Sequence, residues 1–300
     1  MRTGERFVAL WLRRRAHDRA VLGVAGKIRP HPAVRSRRCV VATITVVVTS
    51  ALSGLLLESP HMASAAVQTG PADVASPPRQ GGGGKGSWPG WWSDNWAGYA
   101  RSGSAISSVS ADWIVPTVAA TSKASAYSVA WIGIDGFDDT NRNSLIQIGT
   151  EQDSFKGRPY YRAFWEILPA AATSINSMTI HPGDLMSASI THGTGSQWTL
   201  QIVDISTQQS YSTTQNYDGP RTSAEWILEA PTVGGKASKL PTMSAVTFAA
   251  ARTNGVGPRL TSVDAGMMVK GKKALATPSA PSSTGDAFSV APGAVAPPAP

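Results

Sequence analysis

The residues best suited to chemistry in this sequence are carboxylates and an amide set among apolar neighbours. Between positions 88 and 273 the glutamates are Glu151, Glu166, Glu225 and Glu229. Glu166 closes the run Tyr160-Tyr161-Arg162-Ala163-Phe164-Trp165-Glu166, and Glu225 and Glu229 bracket Trp226-Ile227-Leu228. In an extended strand, residues i and i+4 face the same way, so Glu225 and Glu229 share a face, as do Tyr160, Arg162, Phe164 and Glu166. A carboxyl group beside large aromatics loses solvation and its pKa rises, which suits acid–base work. Gln147, in Leu145-Ile146-Gln147-Ile148-Gly149, is an amide that could stabilise an oxyanion. Each of these residues reads equally well as a polar residue on the solvated face of a half-buried strand. Residue type and periodicity leave both readings open.

Other chemistries find less support. The histidines of this region are His181, in a turn, and His192, at a strand end, and no serine sits in a G-x-S-x-G elbow. There is no H-E-x-x-H, and the one cysteine, Cys39, lies near the N-terminus, so neither a metal site nor any other cofactor is expected. Trp88, Trp91, Trp92 and Trp96 crowd the start of the region, and further tryptophans are spread along it. Many belong in a core, and some could line a cleft for an extended polymer.

The elements that must position these residues read as strands. Short alternating segments at Ser107–Val115, Tyr127–Ile134, Ser144–Gly149, Tyr160–Ile167, Leu185–Thr191, Trp198–Ile205, Gln209–Tyr217, Ala224–Leu228, Ala245–Ala251 and Leu260–Val269 are separated by Gly, Pro, Asn or Asp. Many short strands in one region predict an all-β domain over 88–273, a sandwich or barrel. Residues 66–87, with Gly81-Gly82-Gly83-Gly84, read as a linker or pro-segment. Residues 274–300, rich in Ala and Pro, are expected to be a disordered tail. At the other end, Arg35, Arg37 and Arg38 precede an apolar run from Cys39 to Leu57 and then Ala63-Ser64-Ala65, the layout of a secretory signal over residues 1–65. The run is also about long enough to remain as a membrane anchor. Either outcome places the domain outside the cytoplasm. The formal charge of +8 belongs to that leader: residues 1–65 hold 11 of 27 Lys+Arg and 3 of 19 Asp+Glu, which leaves 16 of each from position 66 onward. The domain therefore lacks the basic footprint of a nucleic-acid binder.

Several segments in order carry a family resemblance: Asn95-Trp96-Ala97-Gly98, Ala130-Trp131-Ile132-Gly133-Ile134-Asp135-Gly136, Leu145-Ile146-Gln147-Ile148-Gly149-Thr150, Phe164-Trp165-Glu166-Ile167-Leu168-Pro169 and Ala224-Glu225-Trp226-Ile227-Leu228-Glu229. Over most of residues 95–250 the sequence resembles the glutamic peptidases of the eqolisin group, peptidase family G1. The resemblance implies an antiparallel two-sheet, concanavalin-like β-sandwich with a cleft on a concave face, and a secreted, monomeric, acid-acting endopeptidase whose partners are polypeptide substrates. It implies a catalytic dyad of Gln147 and Glu229, with Trp131, Asp135 and Glu166 lining the substrate site. In that scheme Glu229 is a general base for the attacking water, Gln147 holds the water and the oxyanion, and no covalent intermediate forms.

Two features depart from the family pattern. Fungal members usually carry disulfides, which this domain lacks. Arg162 stands where an acidic residue often precedes the aromatic–aromatic–Glu segment, and a cation on the face of Glu166 is expected to favour ionised carboxylates and move the acidic limb of activity to lower pH. Two other functions fit parts of the pattern. A glycosidase could use Glu166 and Glu229 as its carboxyl pair, and a carbohydrate-binding module would need the aromatics alone.

Overall fold

A computed structural model of the chain describes residues 88–120, 125–137 and 144–300. The expected signal segment and linker lie outside the described residues. All the regular elements described are strands: β1 (Trp91–Ser93), β2 (Trp96–Ser102), β3 (Ser108–Ile114), β4 (Val129–Ile134), β5 (Ile146–Phe155), β6 (Arg158–Ile167), β7 (Thr173–Ile175), β8 (Leu185–His192), β9 (Gln197–Asp204), β10 (Gln209–Asn216), β11 (Ser223–Glu229), β12 (Thr232–Val233), β13 (Lys236–Ala237), β14 (Val246–Thr253), β15 (Ala265–Lys270), β16 (Lys273–Pro278) and β17 (Phe288–Pro292).

The main sheet runs β10-β9-β8-β3-β14-β17-β16-β15-β2-β11-β4-β5-β6-β7, with β1 beside β15 and β12 paired to β13 apart. Neighbours are antiparallel except for the parallel pair β1–β15. The sheet folds over itself. Inward residues of one half, among them Trp113, Met186, Ile190, Trp198 and Leu200, share one apolar core with Tyr99, Ile132, Ile148 and Trp226 of the other half. The expected sandwich is therefore formed, its two layers continuous through β14, β17, β16 and β15. Indole N–H groups bridge the layers without being left unpaired: Trp113 Nε1 donates to Thr150 Oγ1 at 3.0 Å, and Trp226 Nε1 to the Ser110 carbonyl at 3.0 Å.

The strands differ in how many faces they bury, and this separates scaffold from site. Along β9 and β10 buried or half-buried residues alternate with exposed ones, the signature of strands with one solvated face. By contrast β4 and β11 are buried at every residue. One face of these strands joins the inter-layer core. The opposite face carries a second apolar cluster that includes Trp96, Val129, Trp131, Phe164 and Ile227. Trp131, Gln147, Glu166, Glu225 and Glu229 project from that second face.

The Ala/Pro-rich end of the chain departs from the expectation of disorder. β16 and β17 lie in the middle of the main sheet, between β15 and β14. Ala276, Phe288 and Val290 have no exposed surface. The Phe288 ring stacks on Phe248 with centroids 5.3 Å apart, and Tyr99 donates its hydroxyl to the Ser279 carbonyl at 2.8 Å. Composition hid these strands because small residues and prolines carry the backbone pairing of β16 with β15 and β17, and of β17 with β14, while a few well-placed apolar side chains provide the burial. Phe288→Ala is expected to lower the free energy of unfolding by roughly 3–5 kcal/mol, read from urea denaturation. A chain ending at residue 273 should give no cooperative unfolding transition.

Candidate active site

Strand register brings the sequence-predicted residues onto one surface. On β11-β4-β5-β6, Glu225, Gly133, Gln147 and Glu166 form one cross-strand row. The next row on the same face is Ile227, Trp131, Gly149 and Phe164. The third is Glu229, Val129, Glu151 and Arg162, with Trp96 of β2 on the other side of Glu229. Gln147 and Glu229 thus flank the Trp131 row. Both are buried, at 2% and 3% exposure, so neither is a polar residue on a solvated face.

Trp131 spans the interval between them. A Cβ on Gly133 would lie 2.6 Å from Trp131 Cζ3, so the benzo edge of the indole covers Gly133, directly opposite Gln147. At its other edge, Trp131 Nε1 donates to Glu229 Oε2 at 2.8 Å. Gly149 lets β5 approach: a Cβ there would meet the Ala130 carbonyl at 2.3 Å and Trp131 Cβ at 2.6 Å. Two glycines in the motifs are thus the space that one tryptophan fills. Trp96 packs edge-on against Trp131, with centroids 5.0 Å apart and planes at 77°.

The Glu229 carboxyl group has neutral partners. Oε2 accepts from Trp131, and Oε1 accepts from Asn95 Nδ2 at 3.3 Å. Burial pushes its pKa up to about 7, against a smaller downward pull from Trp131, Trp96 and Asn95. The Trp96 indole N–H lies close enough to favour the carboxylate, although it closes no hydrogen bond of normal geometry. Across the Trp131 row, Gln147 Nε2 donates to Glu166 Oε2 at 2.6 Å. That bond orients the amide and leaves Gln147 Oε1 as a buried acceptor with no hydrogen-bond partner among the described residues.

Two further residues of the sequence reading have partners set by loop closure and register. Asp135 holds a turn. Its carboxylate is fully buried and accepts from Tyr217 Oη (2.7 Å), the Arg221 and Thr222 amides (3.0 and 2.7 Å) and Thr222 Oγ1 (3.3 Å). It braces the turn that feeds β11. Arg162 shares the face of Glu166, as parity requires, but register places it opposite Glu151, to which it is salt-bridged. Its charge acts there on Glu151 and Asp153, the carboxyl groups nearest it on β5. Glu151 and Asp153 are both pushed upward by burial, Asp153 further by the neighbouring Glu151, while Arg162 draws both down.

Sequence reasoning gave no role to Asn95, Ser93, Glu151 or Asp153. Asn95 lay in a recognised motif, but only the pairing of Trp96 with Glu229 brings it to the carboxyl group. Residues 94–288 match the sequence pattern of the Peptidase A4 family. The chain is 28% identical over 199 residues to aspergillopepsin-2 of Aspergillus niger, covering 59% of this chain and 70% of that protein. It is 32% identical over 139 residues to scytalidopepsin B of Scytalidium lignicola, covering 45% and 51%. A crystal structure of scytalido-glutamic peptidase with a transition-state analogue inhibitor superposes with a TM-score of 0.55 at 25% identity, over 66% of this chain and 98% of that one.

The buried acid makes stability depend on pH. A Glu229 pKa near 7 in the folded state lies above the unfolded value, so the folded chain keeps a proton that the unfolded chain has lost. Stability is therefore expected to fall as pH rises from about 4.5 to about 7. Urea midpoints measured across that window should decline, and Glu229→Gln should flatten the decline.

Proposed function

The chain belongs to the peptidase A4 family, and on that premise we propose that it is a secreted, acid-acting endopeptidase whose reacting groups are Glu229 and Gln147. The observation that carries this reading is the placement of a buried, uncharged-partner carboxyl group and an oriented amide on either side of Trp131, on one face of the sheet. Polypeptide is the substrate class, with Trp131 and Glu166 beside the scissile bond. No metal or other cofactor enters the scheme.

Burial changes the form in which Glu229 begins. The sequence reading starts it as a base, but with a pKa near 7 it is a carboxylic acid through the acidic range. Its two oxygens then work together. One donates the carboxyl proton to the substrate carbonyl oxygen. The other accepts a proton from the attacking water as the new C–O bond forms and the C=O π bond opens. The product is a gem-diol, with Glu229 again protonated. In the second half, Glu229 gives its proton to the leaving nitrogen and takes one from a gem-diol hydroxyl as the C–N bond breaks. Gln147 serves the same atoms. Glu166 holds one of its amide hydrogens, which leaves the other for the developing oxyanion and Oε1 for the water.

This scheme gives Glu166 a supporting part, which separates it from a glycosidase that pairs Glu166 with Glu229. The hydrogen bond from Gln147 commits one Glu166 oxygen to an amide. The test is hydrolysis of a quenched fluorescent peptide and of a glucan by the secreted chain across acid and neutral pH. Peptide kcat/KM is expected to fall on the alkaline side with an apparent pKa near that of Glu229, about 7. Glu229→Gln and Gln147→Ala should each lower kcat by roughly 10²–10⁴-fold. Peptidase activity that survives both substitutions, or cleavage confined to glucan, excludes the dyad.

A further inference from the structure

We propose that Ser93 and Asn95 form a two-link hydrogen-bond relay that positions the carboxyl group of Glu229; the inference rests on the reading of Glu229 as the reacting acid. Both residues are buried, at 1% and 2% exposure, although neither is apolar. The Ser93 hydroxyl accepts the backbone N–H groups of Asn95 and Trp96, at 3.2 and 3.1 Å. With its acceptor side so used, the hydroxyl donates its one proton to Asn95 Oδ1, at 3.0 Å. That bond decides which way the Asn95 amide faces. Oδ1 is turned to Ser93, and Nδ2 is therefore turned to Glu229 Oε1, at 3.3 Å. A flipped amide would set oxygen against oxygen at Glu229 and bring an amide nitrogen to a hydroxyl whose lone pairs are already taken.

The backbone reinforces the link. The Asn95 carbonyl accepts the Ala230 amide at 2.8 Å, so the segment between β1 and β2 is tied to the residue that follows Glu229. Asn95 holds Oε1 and Trp131 holds Oε2, from different elements, which fixes the plane of the carboxyl group. A carboxyl group that must give a proton from one oxygen and receive one at the other needs that plane held. The charged side chains on the same face of these strands are Glu225 on β11, Glu151 and Asp153 on β5, and Glu166, Arg162 and Arg158 on β6; β2 and β4 present none there. Asn95 is thus a neutral donor at Glu229, and its hydrogen bond favours the ionised form.

The experiment is kcat, KM and the pH dependence of kcat/KM for the secreted chain and for Asn95→Ala, Ser93→Ala and Ser93→Thr, with Glu229→Gln as reference. Asn95→Ala should lower kcat by roughly 3- to 10-fold, the size of one hydrogen bond between neutral groups, with KM little changed. Its alkaline limb should move to higher pH, because a donor to the carboxylate is gone. Ser93→Ala should move the limb the same way by less, and Ser93→Thr, which keeps the hydroxyl, should recover it. A limb that stays at its original pH in Ser93→Ala and Asn95→Ala overturns the relay, even if activity drops, because a merely structural loss lowers rate without moving the limb. If Asn95→Ala does not fold, the Ser93→Ala and Ser93→Thr pair decides alone. Full activity in Glu229→Gln would refute the reading beneath it, whereas an inactive Glu229→Gln beside an unaltered Asn95→Ala refutes the relay only.

Discussion

A carboxyl group buried among neutral hydrogen-bond donors is the constraint around which this face of the protein is built. Glu229 is almost fully covered; Trp131 and Asn95 donate to it and the Trp96 indole lies close by, none carrying a charge. Without a countercharge, burial dominates and the group holds its proton well into the range where an ordinary glutamate is ionised. Ion pairing is present on the same face, but it is placed elsewhere: Arg162 is spent on Glu151, in line with Glu229 and separated from it by Val129. A guanidinium at Glu229 itself would favour the carboxylate and remove the acid from the acidic range. The neutral surroundings are therefore as much a part of the site as the carboxyl group.

Holding such a group requires a rigid frame, and the sheet supplies it through register. Glu229 is fixed between β2 and β4, Gln147 between β4 and β6, and Trp131 lies on β4, the neighbour they share. The indole reaches from Gly133 to Glu229 only because Gly133 has no side chain and Gly149 lets its strand close in. The same strands turn their other face to the inter-layer core, where Tyr99, Ile132, Ile148 and Trp226 lock them against β3, β8 and β9. Packing on one face thus sets geometry on the other. Asp135 belongs to this frame, since its four hydrogen bonds hold the turn that delivers β11.

The fold also shows how a weakly apolar segment can be essential. β16 and β17 close the gap between β14 and β15 and so make the two layers one sheet. They bring few large side chains, but Phe288 joins the aromatic stack of Phe248 and Tyr99 at the centre of the core. β5 makes a related point. Its second half, Thr150 to Ser154, is polar in sequence yet buried at every position, because one face meets the core and the other the site. Alternation of apolar and polar residues marks strands with one wet face, and strands enclosed on both faces by different chemistries escape it.

By itself the sequence determined an all-β domain, the parity that places Gln147, Glu166, Glu225 and Glu229 on their strand faces, and, through five ordered motifs, the family. These are local properties: alternation, turn residues and short fixed spacings survive without knowledge of which strands pair. The tertiary structure alone decided that those glutamates and the glutamine are buried, since burial depends on what covers a face. It alone decided that Asp135 braces a turn and that Arg162 answers Glu151, since each depends on a partner set by register or loop closure. It alone brought Asn95 to Glu229, from 134 residues away in the chain, by pairing β2 with β11. Spacing along a chain fixes which side chains share a face, but only strand pairing fixes which faces meet.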